Sequence, residues 1–147
     1  MTETANPTAL KWLRRTTGCW TSERRYLFAP KMKAVNMTTK FTVGLGERGN
    51  QFIVEWTGQT EGVMELELIG SRLHRSRDYF GEEAHHSDIE MIDEDTMVLR
   101  TEYSGMRIRE EIRMLESDSI RLRQTIGIDK DTGKVRLIGQ YAEERTL

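Results

Sequence analysis

The stretch Arg107-Ile108-Arg109-Glu110-Glu111-Ile112-Arg113-Met114-Leu115, followed after Glu116-Ser117-Asp118 by Ile120-Arg121-Leu122-Arg123-Gln124-Thr125-Ile126, decides the fold. Both halves alternate with a period of two, the period of a pleated strand. Ile108, Ile112 and Met114 share one set of positions in the first half, and Leu122 and Ile126 share one set in the second. Arg107, Arg109, Glu111 and Arg113, then Arg121 and Arg123, take the other set. Glu-Ser-Asp between the halves is turn chemistry, so the segment reads as a β-hairpin.

The same period continues in both directions. Strands are predicted at 20–28, 35–43, 51–57, 63–69, 73–79, 87–91, 97–103, 107–115, 120–128 and 134–143. Turn residues separate them: Gly46-Glu47-Arg48-Gly49-Asn50, Asp93-Glu94-Asp95, Ser104-Gly105 and Asp129-Lys130-Asp131-Thr132-Gly133. Only the N-terminus departs from this pattern. Asn6-Pro7 reads as a helix start, with Asn6 as N-cap and Pro7 in the first helical position. Leu10 and Leu13 lie on one face with Trp12 nearby, and Gly18 is a plausible stop. This predicts one helix of about ten residues, plugging one end of the core with Lys11, Arg14 and Arg15 in water.

Hairpin-linked strands with no long crossover predict an all-β, antiparallel up-and-down barrel of roughly eight to ten strands with a short N-terminal helix. Closure removes exposed edges, and a barrel of that size has room for side chains or one ligand. The 147 residues are expected to form one domain, 1–147.

Composition narrows the function classes. A net charge of −2, from 22 basic and 24 acidic residues, argues against bulk binding to nucleic acid or to a membrane surface. No apolar run approaches the roughly 20 residues of a membrane span, and Met1-Thr2-Glu3-Thr4 lacks the features of a signal peptide, so a cytoplasmic location is expected. A single cysteine, Cys19, excludes an internal disulfide and any cysteine-rich metal site; it reads as a small core residue. His85-His86 cannot share a metal from one strand, because adjacent side chains point to opposite faces, and a loop or exposed edge is expected there. No metal site is expected. Arg75, Arg77 and Tyr79 fall on one alternating face beside His74, where a ligand contact is conceivable.

The charged face of the 107–126 hairpin has two readings. In water, its glutamates and arginines form cross-strand pairs worth about 0.2–1 kcal/mol each. In a cavity, arginines at i and i+2 present two forks about 7 Å apart, suited to a ligand with two carboxylates. A buried glutamate beside them could donate or hold a proton.

The entry Gly18-Cys19-Trp20 after a short helix resembles the lipocalin opening, in which a Gly-x-Trp closes the barrel base and packs on an arginine of the last strand; Arg136 and Arg145 are the candidates. Five segments together carry a more specific resemblance: Gly18-Cys19-Trp20-Thr21-Ser22-Glu23-Arg24-Arg25-Tyr26, Val54-Glu55-Trp56-Thr57-Gly58, Leu99-Arg100-Thr101-Glu102-Tyr103-Ser104-Gly105 with Glu110-Glu111, Arg121-Leu122-Arg123, and Ala142-Glu143-Glu144-Arg145. Their order and spacing resemble the S-type phycobiliprotein lyases, the CpcS/CpeS family. Members are lipocalin-like barrels that bind a linear tetrapyrrole and deliver it to a cysteine of an apo-phycobiliprotein.

The resemblance implies roles by position. Arg121 and Arg123 match an Arg-x-Arg segment that holds the bilin propionates. Glu111 matches the second glutamate of a Glu-Glu pair and Glu143 a C-terminal glutamate, both implied to protonate or hydrogen-bond pyrrole nitrogens. Trp56 matches a tryptophan that packs on the tetrapyrrole, and Ser22 and Arg24 match a Ser-x-Arg after the first tryptophan. Arg113 and Tyr79 join the implied ligand-binding set. The family's Glu-Glu-Arg-Ile-Trp-Phe is here Glu110-Glu111-Ile112-Arg113-Met114-Leu115, so the arginine has moved by one position and the tryptophan is absent. This leaves open which face of that strand points inward.

The implied activity is chromophore attachment through a thioether, with phycoerythrobilin or phycocyanobilin as substrate and no cofactor. The implied partners are the bilin and an apo-phycobiliprotein subunit, and a homodimer is expected. The alternatives are a non-catalytic carrier of bilin, haem or fatty acid, and a structural module whose interior is filled by its own side chains.

Overall fold

The computed structural model describes residues 3–76 and 85–146. The chain opens with α1 (Pro7–Arg15) and continues through β1 (Gly18–Phe28), β2 (Lys33–Leu45), β3 (Gln51–Thr57), β4 (Gly62–Ile69), β5 (Arg72–Arg75), β6 (His85–Met91), β7 (Thr96–Tyr103), β8 (Met106–Leu115), β9 (Ile120–Asp129) and β10 (Val135–Thr146). Every consecutive pair is antiparallel, and β1 pairs with both β2 and β10. The sheet therefore closes in the order β1-β10-β9-β8-β7-β6-β5-β4-β3-β2, giving the barrel that alternation predicts, with ten strands. Closure satisfies the backbone donors and acceptors that an open sheet leaves on its edges.

α1 seals one end. The Asn6 side chain accepts from the backbone N–H groups of Thr8 and Ala9, both at 3.1 Å, and Pro7 sits where its missing N–H costs nothing. The helix buries Ala9, Trp12 and Leu13 against the barrel end. Trp12 Nε1 donates to the Asp95 carbonyl at 2.8 Å, and Arg15 donates to Asp118 Oδ1 at 2.6 Å and Asp95 Oδ1 at 2.7 Å. Arg15 is thus a tether between the helix and two turns, rather than part of a solvated side. Below the helix lies Trp20, its Nε1 donating to the Thr16 carbonyl at 2.8 Å. The Arg145 guanidinium sits 4.4 Å from the Trp20 ring centroid and also bonds the carbonyls of Arg15, Thr17 and Asp118. Arg145 therefore closes the base. Arg136 lies by the opposite rim, donating to the Ser104 carbonyl.

Two local expectations are corrected. Cys19 is exposed, because its neighbour Trp20 points inward and the pleat sends Cys19 outward. His85 and His86 open β6, and in register with β5 they face Arg75 and His74. They lie in a strand and not in a loop.

The interior is divided. β2 to β7 contribute most of the apolar core, including Phe41, Phe52, Met64, Leu68, Leu73 and Met97. β1, β8, β9 and β10 face it with a wall rich in charge, because these strands place arginines, glutamates and tyrosines on their inward positions. No helix among the described residues is long and apolar enough to cross a membrane.

Candidate functional site

The polar wall is built in rungs fixed by strand register. Lowest, next to Trp20 and Arg145, one rung runs Ser22 (β1), Glu143 (β10), Arg121 (β9), Met114 (β8). Above it runs Arg24, Tyr141, Arg123, Ile112. The next is Tyr26, Gly139, Thr125, Glu110. Because residues two apart on a strand share a face, these three rungs stack on one inner surface.

In the lowest rung Arg121 Nε donates to Glu143 Oε1 at 2.8 Å, and the same guanidinium lies 5.1 Å from the Phe41 ring and 5.3 Å from the Trp20 ring. Glu143 is wholly buried; its Oε2 has no hydrogen bond and lies 4.0 Å from Arg24 Nη2. Arg24 Nε in turn donates to Ser22 Oγ at 3.0 Å. One level up, Arg123 donates from Nε to Glu110 Oε2 at 2.8 Å and from Nη2 to the same oxygen. The Tyr141 ring lies between Arg24 and Arg123, at 5.1 and 4.8 Å.

The electrostatics follow from these neighbours. Burial pushes the Glu110 carboxyl up, but the charges of Arg123, Arg75 and Arg24 outweigh it and hold the group below the ordinary carboxylate value. Burial likewise pushes Glu143 up, and Arg121 and Arg123 bring it below the ordinary value. Both therefore stand as carboxylates near neutral pH. Burial raises the Tyr141 phenol far above its usual value, so it stays protonated. Among the described residues the barrel interior thus sets four guanidiniums, those of Arg24, Arg121 and Arg123 on the wall and of Arg75 on β5, against two carboxylates, Glu110 and Glu143. Four positive and two negative charges leave an excess of two positive.

The residues singled out from the sequence separate accordingly. Ser22, Arg24, Arg121, Arg123 and Glu143 come together on the inner wall. Trp56 faces inward near the end of β3 and packs against the core. Glu111 does not join them. It lies on the outer face of β8, its side chain 36% exposed and paired with Arg109 at 3.3 Å. Arg113 shares that outer face and is exposed. Tyr79 lies outside the described residues.

The correction from Glu111 to Glu110 has a simple cause. Ile108, Ile112 and Met114 point inward, and Glu110 shares their parity. On β9 the usual pattern is inverted: Leu122 is exposed while Arg121, Arg123 and Thr125 are buried. Apolar residues therefore mark the inner face of β8 and the outer face of β9. Glu110 and Tyr141 are the site residues that sequence reasoning missed; the parity of Ile108 and Ile112 was the available signal for Glu110. No cluster of three or more His, Cys, Asp or Glu suited to a metal ion occurs among the described residues.

Comparison with known proteins sets this site in a family context. A family model described as CpeS-like protein matches residues 65–146, more than half of the chain. The chain is 26% identical over 166 aligned positions to "Putative phycocyanobilin lyase CpcS 2" of Nostoc sp. strain PCC 7120, covering 94% of this chain and 91% of that one. Among solved structures, the S-type phycobiliprotein lyase CPES of Guillardia theta matches with a TM-score of 0.73 at 16% identity, covering 95% of this chain and 93% of that one. Rv2717c of M. tuberculosis matches with a TM-score of 0.61 at 8% identity, covering 98% and 100%. At these identities the two structural matches speak for the barrel fold alone.

Proposed function

Because this chain belongs to the CpeS-like protein family, we propose that it is a bilin lyase, which binds a linear tetrapyrrole inside the barrel and delivers it to a cysteine of an apo-phycobiliprotein. The observation that carries the proposal is the charge of the barrel interior. Among the described residues, two excess positive charges, from guanidiniums on β1, β5 and β9, complement a pigment that bears two propionates. The apolar face opposite, with Trp56 turned inward, suits the conjugated rings.

The roles divide by rung. Arg121 is engaged by Glu143 and two aromatic rings, so we assign it to the floor of the site. Arg24, Arg75 and Arg123 are assigned to the propionates. When a propionate takes Arg123, Glu110 loses part of its counter-charge in a buried setting, and its proton affinity rises. It can then share a proton with the pyrrole nitrogens. Glu143, the implied second acid, serves as a fixed negative charge that favours the protonated and more electrophilic pigment.

The attachment step needs no cofactor. The acceptor cysteine thiol adds across a conjugated double bond at one end of the pigment. A carbon–sulfur bond forms, the π bond is lost, the thiol proton ends on the pigment, and no electrons leave the pair of reactants. The lyase supplies orientation, holding a flexible chain in one reactive conformation. Phycocyanobilin or phycoerythrobilin is the substrate we propose.

Co-expression with a bilin source and an acceptor subunit tests the reading. Zinc-enhanced fluorescence on the acceptor band of a denaturing gel is expected. Colour that stays with this protein and washes out on denaturation would make it a carrier instead.

A further inference from the structure

Tyr141 is the cross-strand neighbour of Arg24 on β1 and of Arg123 on β9. Its ring stands 5.1 Å from the Arg24 guanidinium carbon and 4.8 Å from that of Arg123, so one ring is shared by two cations. The ring is fixed on its other sides. Tyr26 meets it edge-on at 5.4 Å, and the Thr125 hydroxyl lies 3.4 Å from the phenol oxygen. Gly139 precedes it by two positions and faces the same way. A methyl group at residue 139 would come within 2.9 Å of Tyr141 Cε1 and 3.0 Å of its oxygen. The ring keeps its place along β10 because residue 139 has no side chain.

We propose that Tyr141, seated on Gly139, is a positioning residue that holds Arg24 and Arg123 apart as a two-pronged receptor for the paired propionates of a linear tetrapyrrole. The inference rests on the tetrapyrrole reading above and names the part of the wall that sets its geometry. Arg24 on β1 and Arg123 on β9 are like charges separated only by β10, and each has a carboxylate at hand. Glu143 Oε2 lies 4.0 Å from Arg24 Nη2, and Glu110 already bonds Arg123. An aromatic ring attracts both cations without cancelling their charge, which a carboxylate would do. Without the ring, Arg24 falls onto Glu143, and the spacing that matches two propionates is lost.

The test is titration of the wild type, Tyr141→Phe, Tyr141→Leu and Gly139→Ala with two probes, biliverdin and biliverdin dimethyl ester. They share the conjugated skeleton and differ in their carboxylates. The wild type is expected to prefer the diacid, and Tyr141→Phe to keep that preference. Tyr141→Leu and Gly139→Ala are expected to reduce it about tenfold, which is about 1.4 kcal/mol, while affinity for the diester stays unchanged. Should Tyr141→Leu fail to fold by circular dichroism, Gly139→Ala carries the comparison with Tyr141 still present. An undiminished preference in Gly139→Ala and in folded Tyr141→Leu overturns the positioning role alone. So does a parallel loss of affinity for both probes, which would mean that the ring only packs on pigment. A wild type that fails to distinguish diacid from diester contradicts the propionate reading itself, and the clamp with it.

Discussion

Arg121 Nε is 2.8 Å from Glu143 Oε1, and the Arg121 guanidinium carbon lies 5.3 Å from the Trp20 ring and 5.1 Å from the Phe41 ring. Both partners are buried, so removing Arg121 leaves Glu143 away from water with only the more distant guanidiniums of Arg24 and Arg123, and removing Glu143 leaves Arg121 without its carboxylate. The pair joins β9 to β10 just above the base that α1 and Arg145 close.

Arg121→Ala is therefore expected to act first on folding. Loss of one member of such a pair costs about 3–5 kcal/mol. Urea denaturation followed by circular dichroism should show a loss of unfolding free energy of that size, read as a lowered midpoint. An unchanged midpoint with lost pigment binding would return Arg121 to the ligand.

Arg123→Ala also breaks a buried pair, with Glu110, and is expected to act on binding in addition to folding. A charge-assisted hydrogen bond contributes about 1.5–3 kcal/mol, so affinity for a dicarboxylate bilin should fall about 10- to 100-fold. The fall should be absent for the dimethyl ester. Absorption titration of both pigments measures it.

Acid should destabilise the fold with a defined sign. Glu110 and Glu143 have folded values below the ordinary one. Their contribution is complete above the unfolded carboxylate value of about 4.3, and is lost as pH falls through the lower folded value. The urea midpoint should be flat near neutrality and drop below about pH 4. Glu110→Gln should be less stable than wild type at pH 7 and show a shallower acid limb. Equal slopes for the two proteins would remove Glu110 from the linkage.

Cys19→Ser should leave chromophore transfer intact, since the thiol points away from the barrel interior. Cys19 should also react with iodoacetamide in the native state. Abolished transfer in the serine variant, measured by acceptor fluorescence in the co-expression assay, would indicate a thiol-bound intermediate.

Much of the fold was legible because the pleat writes its period into the chain. Trp20, Ser22 and Arg24 alternate with Thr21, Glu23 and Arg25, and the ten predicted strands correspond to the ten observed, the fifth up to Arg75, since residues 77–79 of its predicted range lie outside the described residues. Facing was harder to read. Alternation separates two faces without saying which is inner, and polarity settles that only where the interior is apolar. Here β9 buries Arg121 and Arg123 and exposes Leu122, so the hydrophobic rule reverses on one strand and holds on its neighbour. The adjacent pair Glu110-Glu111 places one carboxylate on each face, and a one-residue misassignment moves the acid out of the barrel. Tyr141 was illegible for another reason: its importance lies in a register that sets it between Arg24 and Arg123, and no local pattern encodes a register between distant strands.

The most direct measurement is titration of the purified protein with biliverdin, followed by visible circular dichroism. A pigment clasped by fixed guanidiniums takes one handed conformation, so we expect an induced signal that saturates at one pigment per chain. A flat spectrum throughout, with no saturable change, would show that the arginines of the inner wall hold only their own glutamates.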